Sequence, residues 1–155
     1  MIVYRIANKK YGADLSGVGA AMFGGRWNKK GTQVLYTGES VEIALLEIVV
    51  NTPPMLVPNL VLVTIEIPDV PVTELKIEDL ASNWKNYPPP TILSEIGTEW
   101  VYSMKSLALK VPSCVVETAH NYILNPLHPS YTEVKTLSVD PFHFDPRLKK
   151  GLTES

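Results

Sequence analysis

Gln33-Val34-Leu35-Tyr36-Thr37-Gly38-Glu39-Ser40-Val41-Glu42-Ile43-Ala44-Leu45-Leu46-Glu47-Ile48-Val49-Val50 reads as a strand that turns straight into a buried helix. Gln33 to Thr37 has the branched and aromatic content of a strand. Ser40 stands where a helix needs its N-cap, and Glu42 falls in the first turn, where the backbone dipole favours an anion. Asn51 and the prolines at 53 and 54 stop the helix. Because the segment is apolar nearly all round, it is expected to be buried. Yet it carries a second carboxylate. Glu47 lies about 140° around the wheel from Glu42, taking about 100° per residue, and shares the stripe of Ile43 and Val50. The two acids therefore do not share one solvent face. An unpaired buried carboxylate is costly, so Glu47 needs an arginine partner, a cleft or a proton. A structural ion pair and a functional site both meet that need.

Working outward, Ile2 to Ile6 is a short strand, followed by a segment punctuated by Gly12, Gly17, Gly19, Gly24, Gly25 and Gly31. Such density predicts turns and close backbone approaches rather than regular structure. On the other side, Leu60 to Ile67 is a core strand and Trp84 to Pro90 a proline-rich loop. Thr91 to Met104 carries Ile92, Leu93, Ile96, Trp100 and Met104 at helical spacing. Leu107 to Val111 and Cys114 to Thr118 read as short strands, Lys135 to Val139 as a last one, and the residues past Arg147 as a loose end. No repeat or linker interrupts the 155 residues, which suit one core. The expectation is a single α+β domain over residues 1–147, with an interrupted, mostly antiparallel sheet and a tail at 148–155.

Apolar residues make up 45% and charged residues 19% of the chain, the balance of a globular protein rather than a disordered one. Cys114 is the sole cysteine, so no intrachain disulfide is available, which fits a reducing compartment. No basic leader opens the chain and no apolar run approaches the roughly 20 residues that span a bilayer. A cytoplasmic protein with no membrane partner is expected. The net charge of −2 argues against direct nucleic-acid binding, while leaving room for a local positive pocket that takes a phosphate-bearing small molecule.

Within this frame a few residues could carry chemistry. In Gly24-Gly25-Arg26-Trp27-Asn28 two glycines allow close backbone approach, and Arg26 offers a planar fork suited to a carboxylate or phosphates. Trp27 is a stacking plane or a core anchor. A plain turn with an exposed arginine explains the run equally. It is no P-loop, since no lysine followed by Ser or Thr closes it. Tyr36, at a strand end, can stack on a ring or merely pack. Ser113 sits at a break between strands and suits a hydrogen-bonding role better than a nucleophilic one, because no recognised elbow surrounds it. Cys114 reads as a small core residue. His120, His128 and His143 lack zinc spacing, so no metal is expected. His128, between two prolines, reads as a hydrogen-bonded loop residue.

Tyr4-Arg5, Gly25-Arg26-Trp27-Asn28, Val34-Leu35-Tyr36-Thr37, Ala44-Leu45-Leu46-Glu47, Val111-Pro112-Ser113 and Asn125-Pro126 with His128-Pro129 together, in this order and spacing, resemble the RES domain, a family named for Arg, Glu and Ser. The resemblance implies a fold similar to ADP-ribosyltransferases of the diphtheria-toxin type, a split antiparallel sheet with flanking helices. It implies action on NAD as substrate with no cofactor, by hydrolysis or phosphorolysis that releases nicotinamide, or by ADP-ribosylation of a protein. It implies a bacterial toxin held by an Xre-type helix-turn-helix antitoxin that blocks the site. The equivalents of the family's active residues are Arg26, Tyr36, Glu47 and Ser113, with Arg5 as an additional binding candidate. In that setting Glu47 stabilises charge on the ribose and Arg26 pairs with the pyrophosphate. Tyr36 packs on a ring, and Ser113 hydrogen-bonds near the nicotinamide or its ribose. A protein-modifying transferase and a catalytically silent binding module are the competing readings. Self-association is a further expectation, although no heptad or other signature carries it.

Overall fold

The computed structural model describes residues 1–51 and 59–149. The elements run β1 (Ile2–Asn8), α1 (Val18–Phe23), β2 (Leu35–Gly38), α2 (Val41–Asn51), β3 (Leu60–Glu66), β4 (Thr73–Glu74), α3 (Thr91–Ser103), β5 (Ala108–Pro112), β6 (His120–Leu124) and β7 (Lys135–Phe142). The seven strands form one sheet in the order β4-β5-β6-β2-β1-β3-β7. All neighbours are antiparallel except β4 and β5. The decisive feature is how weakly the middle is joined. β1 meets β3 along its whole length, from Ile2 opposite Glu66 to Asn8 opposite Leu60, but meets β2 only where Tyr4 faces Gly38. The sheet is thus two wings, β4-β5-β6-β2 and β1-β3-β7, which diverge from a narrow junction. This is the split sheet that the resemblance implies.

Strand alternation sends residues to two faces. One face carries Val3, Leu35, Val61, Val63, Ile65, Ala108, Tyr122 and Leu124, covered by loop residues such as Leu15, Val70, Val72 and Val134. The other face divides with the wings. Under one wing α3 packs through Leu93, Trp100 and Val101 onto Leu109, Val111 and Ile123, with Trp27 and Trp84 filling in. Under the other, α2 packs through Ala44, Leu45 and Ile48 onto Ile6, Leu60 and Leu62. Two helices on one face of a split sheet leave a gap between them, directly over the junction.

Ser40 caps α2 as expected: its Oγ accepts from the Ile43 N–H at 3.1 Å. The helix is less buried than its composition predicts. Only Ile43 and Ala44 are buried, and Val50 is exposed, because Glu47, Ile48 and Val50 of the C-terminal half border the gap. The prolines at 53 and 54 lie outside the described residues. Three other expectations are corrected. The glycine-rich segment holds a regular helix, α1, whose alanines favour the state and whose flanking Gly17 and Gly24 take positive φ values of 78° and 70°. Cys114 to Thr118 is a set of turns, not a strand. The Ser113 hydroxyl accepts from the N–H groups of Val115 at 3.1 Å and Val116 at 3.2 Å, offering the backbone an alternative to a ladder. The strand follows instead at His120–Leu124. Third, a short 3-10 turn, Pro146–Lys149, continues past Arg147; the rest of the expected tail, 150–155, lies outside the described residues. Among the described residues no helix is long and apolar enough to cross a membrane.

Candidate active site

The gap between α2 and α3 is a cleft of about 1200 Å³. Its floor follows from the pleat. Gly38 pairs with both Tyr4 and Asn121, and Tyr36 pairs with Ile123, so Tyr4, Tyr36, Gly38, Asn121 and Ile123 share the face that the helices flank, and all line the cleft. Glu47 on α2 forms one wall. Arg26 and Cys114 line the cleft as well, and Phe23 and Tyr87 stand exposed at its rim. Arg26, Lys30 and Lys85 line the space with a single carboxylate, Glu47, and Lys85 is also paired with Glu117. A protein of net charge −2 therefore concentrates positive charge along this cleft, as an anionic ligand requires.

Glu47 is held from one side. Its Oε1 accepts from Ser113 Oγ at 3.0 Å and from Asn121 Nδ2 at 3.0 Å. It forms no ion pair among the described residues, so the structural arginine partner is absent. Ser113 is fully buried and does not line the cleft. Its hydroxyl donates to Glu47 and accepts the two turn N–H groups. It sits behind the carboxylate, with its hydroxyl engaged in these three bonds.

Arg26 is half-buried. It donates from Nη1 to the Trp84 carbonyl at 2.6 Å and from Nη2 to the Asn86 carbonyl at 3.2 Å. Two of its five N–H groups thus hold the Trp84–Pro90 loop as a wall, and the guanidinium also reaches the Cys114 thiol. Lys85 of the same loop pairs with Glu117, fastening the loop to the turn after β5. Arg5 borders the cleft from β1, but alternation puts its side chain on the opposite face with Val3 and Val63, where its Nη1 donates to the carbonyl of Asp14 at 3.1 Å and that of Tyr11 at 3.4 Å. Burial pulls the guanidinium below its usual pKa, with Asp14 opposing that shift. Burial likewise raises the Cys114 thiol, with Arg26 opposing and Glu47 adding to the shift; this half-buried cysteine lies close to both groups and stays protonated at neutral pH. His128 is a loop residue as expected, its Nδ1 accepting from the Ser130 N–H at 3.1 Å.

Tyr36 ties the site together. Its hydroxyl donates to Asn28 Oδ1 at 2.6 Å and accepts from the Trp27 N–H at 3.1 Å. A Cβ on Gly25 would stand 2.6 Å from that hydroxyl, which is why the second glycine of the run is needed. Asn28, almost wholly buried, passes its amide to the carbonyls of Ala20 at 2.9 Å and Thr32 at 3.0 Å. Burial pushes the Tyr36 hydroxyl well above its ordinary range, only partly opposed by the Trp27 N–H, so it remains a neutral donor. Tyr36 therefore shapes the turn that presents Arg26 while its ring faces the cleft. Tyr36→Phe is expected to leave Asn28 Oδ1 and the Trp27 N–H without partners, at about 1–3 kcal/mol. Chemical denaturation will show it, and a midpoint equal to the parent's would mean that the turn holds without the hydroxyl.

Sequence reasoning missed Asn121, Lys85 and the aromatic rim of Phe23 and Tyr87. Asn121 lies outside every element expected from the sequence, and no local motif marks it.

The architecture is that of a small α+β domain whose ligand-sized cleft opens at the split of its sheet. Residues 2–145 match the RES domain, and the chain belongs to that family. It is 42% identical over 153 residues to the protein named Toxin Res of Yersinia enterocolitica, covering 96% of this chain and all of the relative. It is 35% identical over 139 residues to the Prs ADP-ribosylating toxin of a Sphingobium strain, covering 87% and 86%. The fold recurs in a chain of the Mycobacterium tuberculosis MbcT–MbcA toxin–antitoxin complex, with a TM-score of 0.73 over 96% of this chain and 86% of the other, at 19% identity.

Proposed function

We propose that this chain is the toxin of a toxin–antitoxin pair and that it cleaves NAD between nicotinamide and ribose. The observation that carries the reading is Glu47: a carboxylate in a ligand-sized cleft, clamped through one oxygen and neutralised by no cation among the described residues. Cleaving the nicotinamide–ribose bond builds positive charge on the ribose, as in glycoside cleavage. A preorganised anion beside that carbon lowers the barrier without reorganising during the reaction. Nicotinamide leaves as a neutral molecule, so no strong general acid is required. Arg26 and Lys30 in the cleft suit the pyrophosphate, and the ring of Tyr36 offers a packing surface. The relatives' names support the toxin assignment. The MbcT–MbcA complex supports a partner protein, for which an Xre-type antitoxin covering the cleft is the expected form.

Water or phosphate is the proposed acceptor. Transfer to a protein is the second reading, favoured by the name of the Sphingobium relative. Both release nicotinamide, so one assay tests the shared step. Purified chain freed of any partner protein is incubated with NAD, with and without phosphate and cell extract, and nicotinamide is quantified. Release in every case, unchanged by a chelator, is expected. No release under any of these conditions would refute the assignment, and chelator-sensitive release would refute its metal-free part.

A further inference from the structure

We propose that Asn121 is a positioning residue for Glu47, sharing with Ser113 the task of holding one carboxylate oxygen so that the other faces the ligand. The inference deepens the proposed NAD chemistry and rests on it for its kinetic readout. Both donors converge on Oε1, each at 3.0 Å, and among the described residues no hydrogen bond reaches Oε2. The donors come from different elements: Ser113 follows β5 and Asn121 lies in β6, opposite Val111 on one side and Gly38 on the other. Glu47 itself stands on α2. Three elements from both sides of the junction therefore meet on one oxygen. Ser113 is anchored by two backbone N–H groups, and Asn121 by the ladder on both flanks of its strand. Such a clamp fixes the side-chain rotamer of a carboxylate that lines the cleft from a half-buried stretch of helix. Fixed geometry is what an electrostatic contribution to the transition state requires.

Asn121 also has to be an amide. The other titratable or charged side chains lining the cleft are Tyr4 from β1, Arg26 and Lys30 from the glycine-rich segment, Tyr36 from β2, Lys85 from the loop before α3 and Cys114 after β5, while that of Arg5 lies on the other face of β1. His120, beside Asn121 on β6, is turned to Glu39. None of these donates to Oε1. An aspartate at 121 would set a second carboxylate at hydrogen-bond distance from the first, and such a pair holds a shared proton toward neutral pH.

The test compares Asn121→Ala and Asn121→Asp with the parent. Asn121→Ala is expected to lower kcat for NAD about 10–100-fold, the worth of one hydrogen bond to a charged group, with little change in KM. Asn121→Asp is expected to move the acidic limb of the kcat profile upward by about one pH unit or more. A merely structural asparagine would move neither the limb nor the split between kcat and KM. The clamp is also read without turnover. In the resting protein the Asn121 side-chain amide protons should exchange slowly, and Glu47→Ala should release them. Parental kcat and pH profile in both variants, or amide protons indifferent to Glu47→Ala, would overturn the proposal. Slow amide exchange lost in Glu47→Ala, in a protein that leaves NAD intact, would keep the clamp and refute the substrate.

Discussion

Glu47→Gln is expected to lower kcat for NAD by about 10²–10³, the size of one preorganised group, with an unchanged or higher unfolding midpoint. The structure makes this a clean removal of charge. Ser113 and Asn121 both donate to Oε1, and a glutamine carbonyl accepts both bonds equally. The new amide then replaces Oε2, the oxygen outside the clamp. No cation is orphaned, since none is paired with Glu47 among the described residues. A half-buried carboxylate without a counter-ion adds little to the fold and can cost it something. Were Glu47 purely structural, activity would fall only as far as folding does. Thermal unfolding and single-turnover NAD cleavage on the same preparation separate the two. A well-folded Glu47→Gln variant with parental turnover would remove Glu47 from the chemistry, and the mechanism with it.

Local chemistry is what the sequence carries most legibly. The cap at Ser40 and the position of Glu47 follow from contacts within a few residues, and both appear in the structure; the stop expected after Asn51 lies outside the described residues. The α+β class and the split of the sheet are also within reach, the latter through the resemblance. What stays hidden depends on distant contacts. Cys114 to Thr118 has the apolar look of a strand, but the Ser113 hydroxyl captures two of its N–H groups and turns it. Asn121 is an ordinary polar residue until β6 lies between β2 and β5. The stripe on α3 is drawn by its large side chains, yet Ile92 and Met104 of that stripe are exposed. The buried face instead runs through Leu93, Gly97, Trp100 and Val101. Hydrophobic periodicity does not register a glycine whose value lies in what it lets approach. Arg26 and Tyr36 read in the sequence as ligand contacts, but much of their bonding capacity goes into building the wall that a ligand would meet.

Gly97→Ala is expected to destabilise the protein by about 3 kcal/mol, near the upper end for overpacking, although helix propensity alone predicts the opposite sign. In a solvent-facing helix the change would gain about 1 kcal/mol. Here a Cβ on Gly97 would stand 1.7 Å from the Trp27 carbonyl oxygen and 2.7 Å from its carbon. The obstacle is backbone, and it is pinned. The Trp27 N–H is held by the Tyr36 hydroxyl at 3.1 Å, and the Lys29 N–H donates to Thr98 Oγ1 on α3 at 3.0 Å. Trp27 itself is buried among Trp84, Leu93 and Trp100. Neither the helix nor the turn can move without breaking these contacts, so the clash outweighs the propensity gain. The midpoint should drop by roughly 6–12 °C for a chain of this size. Because Arg26 precedes Trp27, any shift of the turn also moves the guanidinium, so NAD use should weaken in the fraction that folds. Gly19→Ala is the control. Gly19 lies in α1 with open space where a Cβ would stand, so the propensity term acts alone and stability should hold or rise. If both variants gained stability alike, the close approach of α3 to the Gly24–Asn28 turn would be wrong, and so would the account of how the fold positions Arg26.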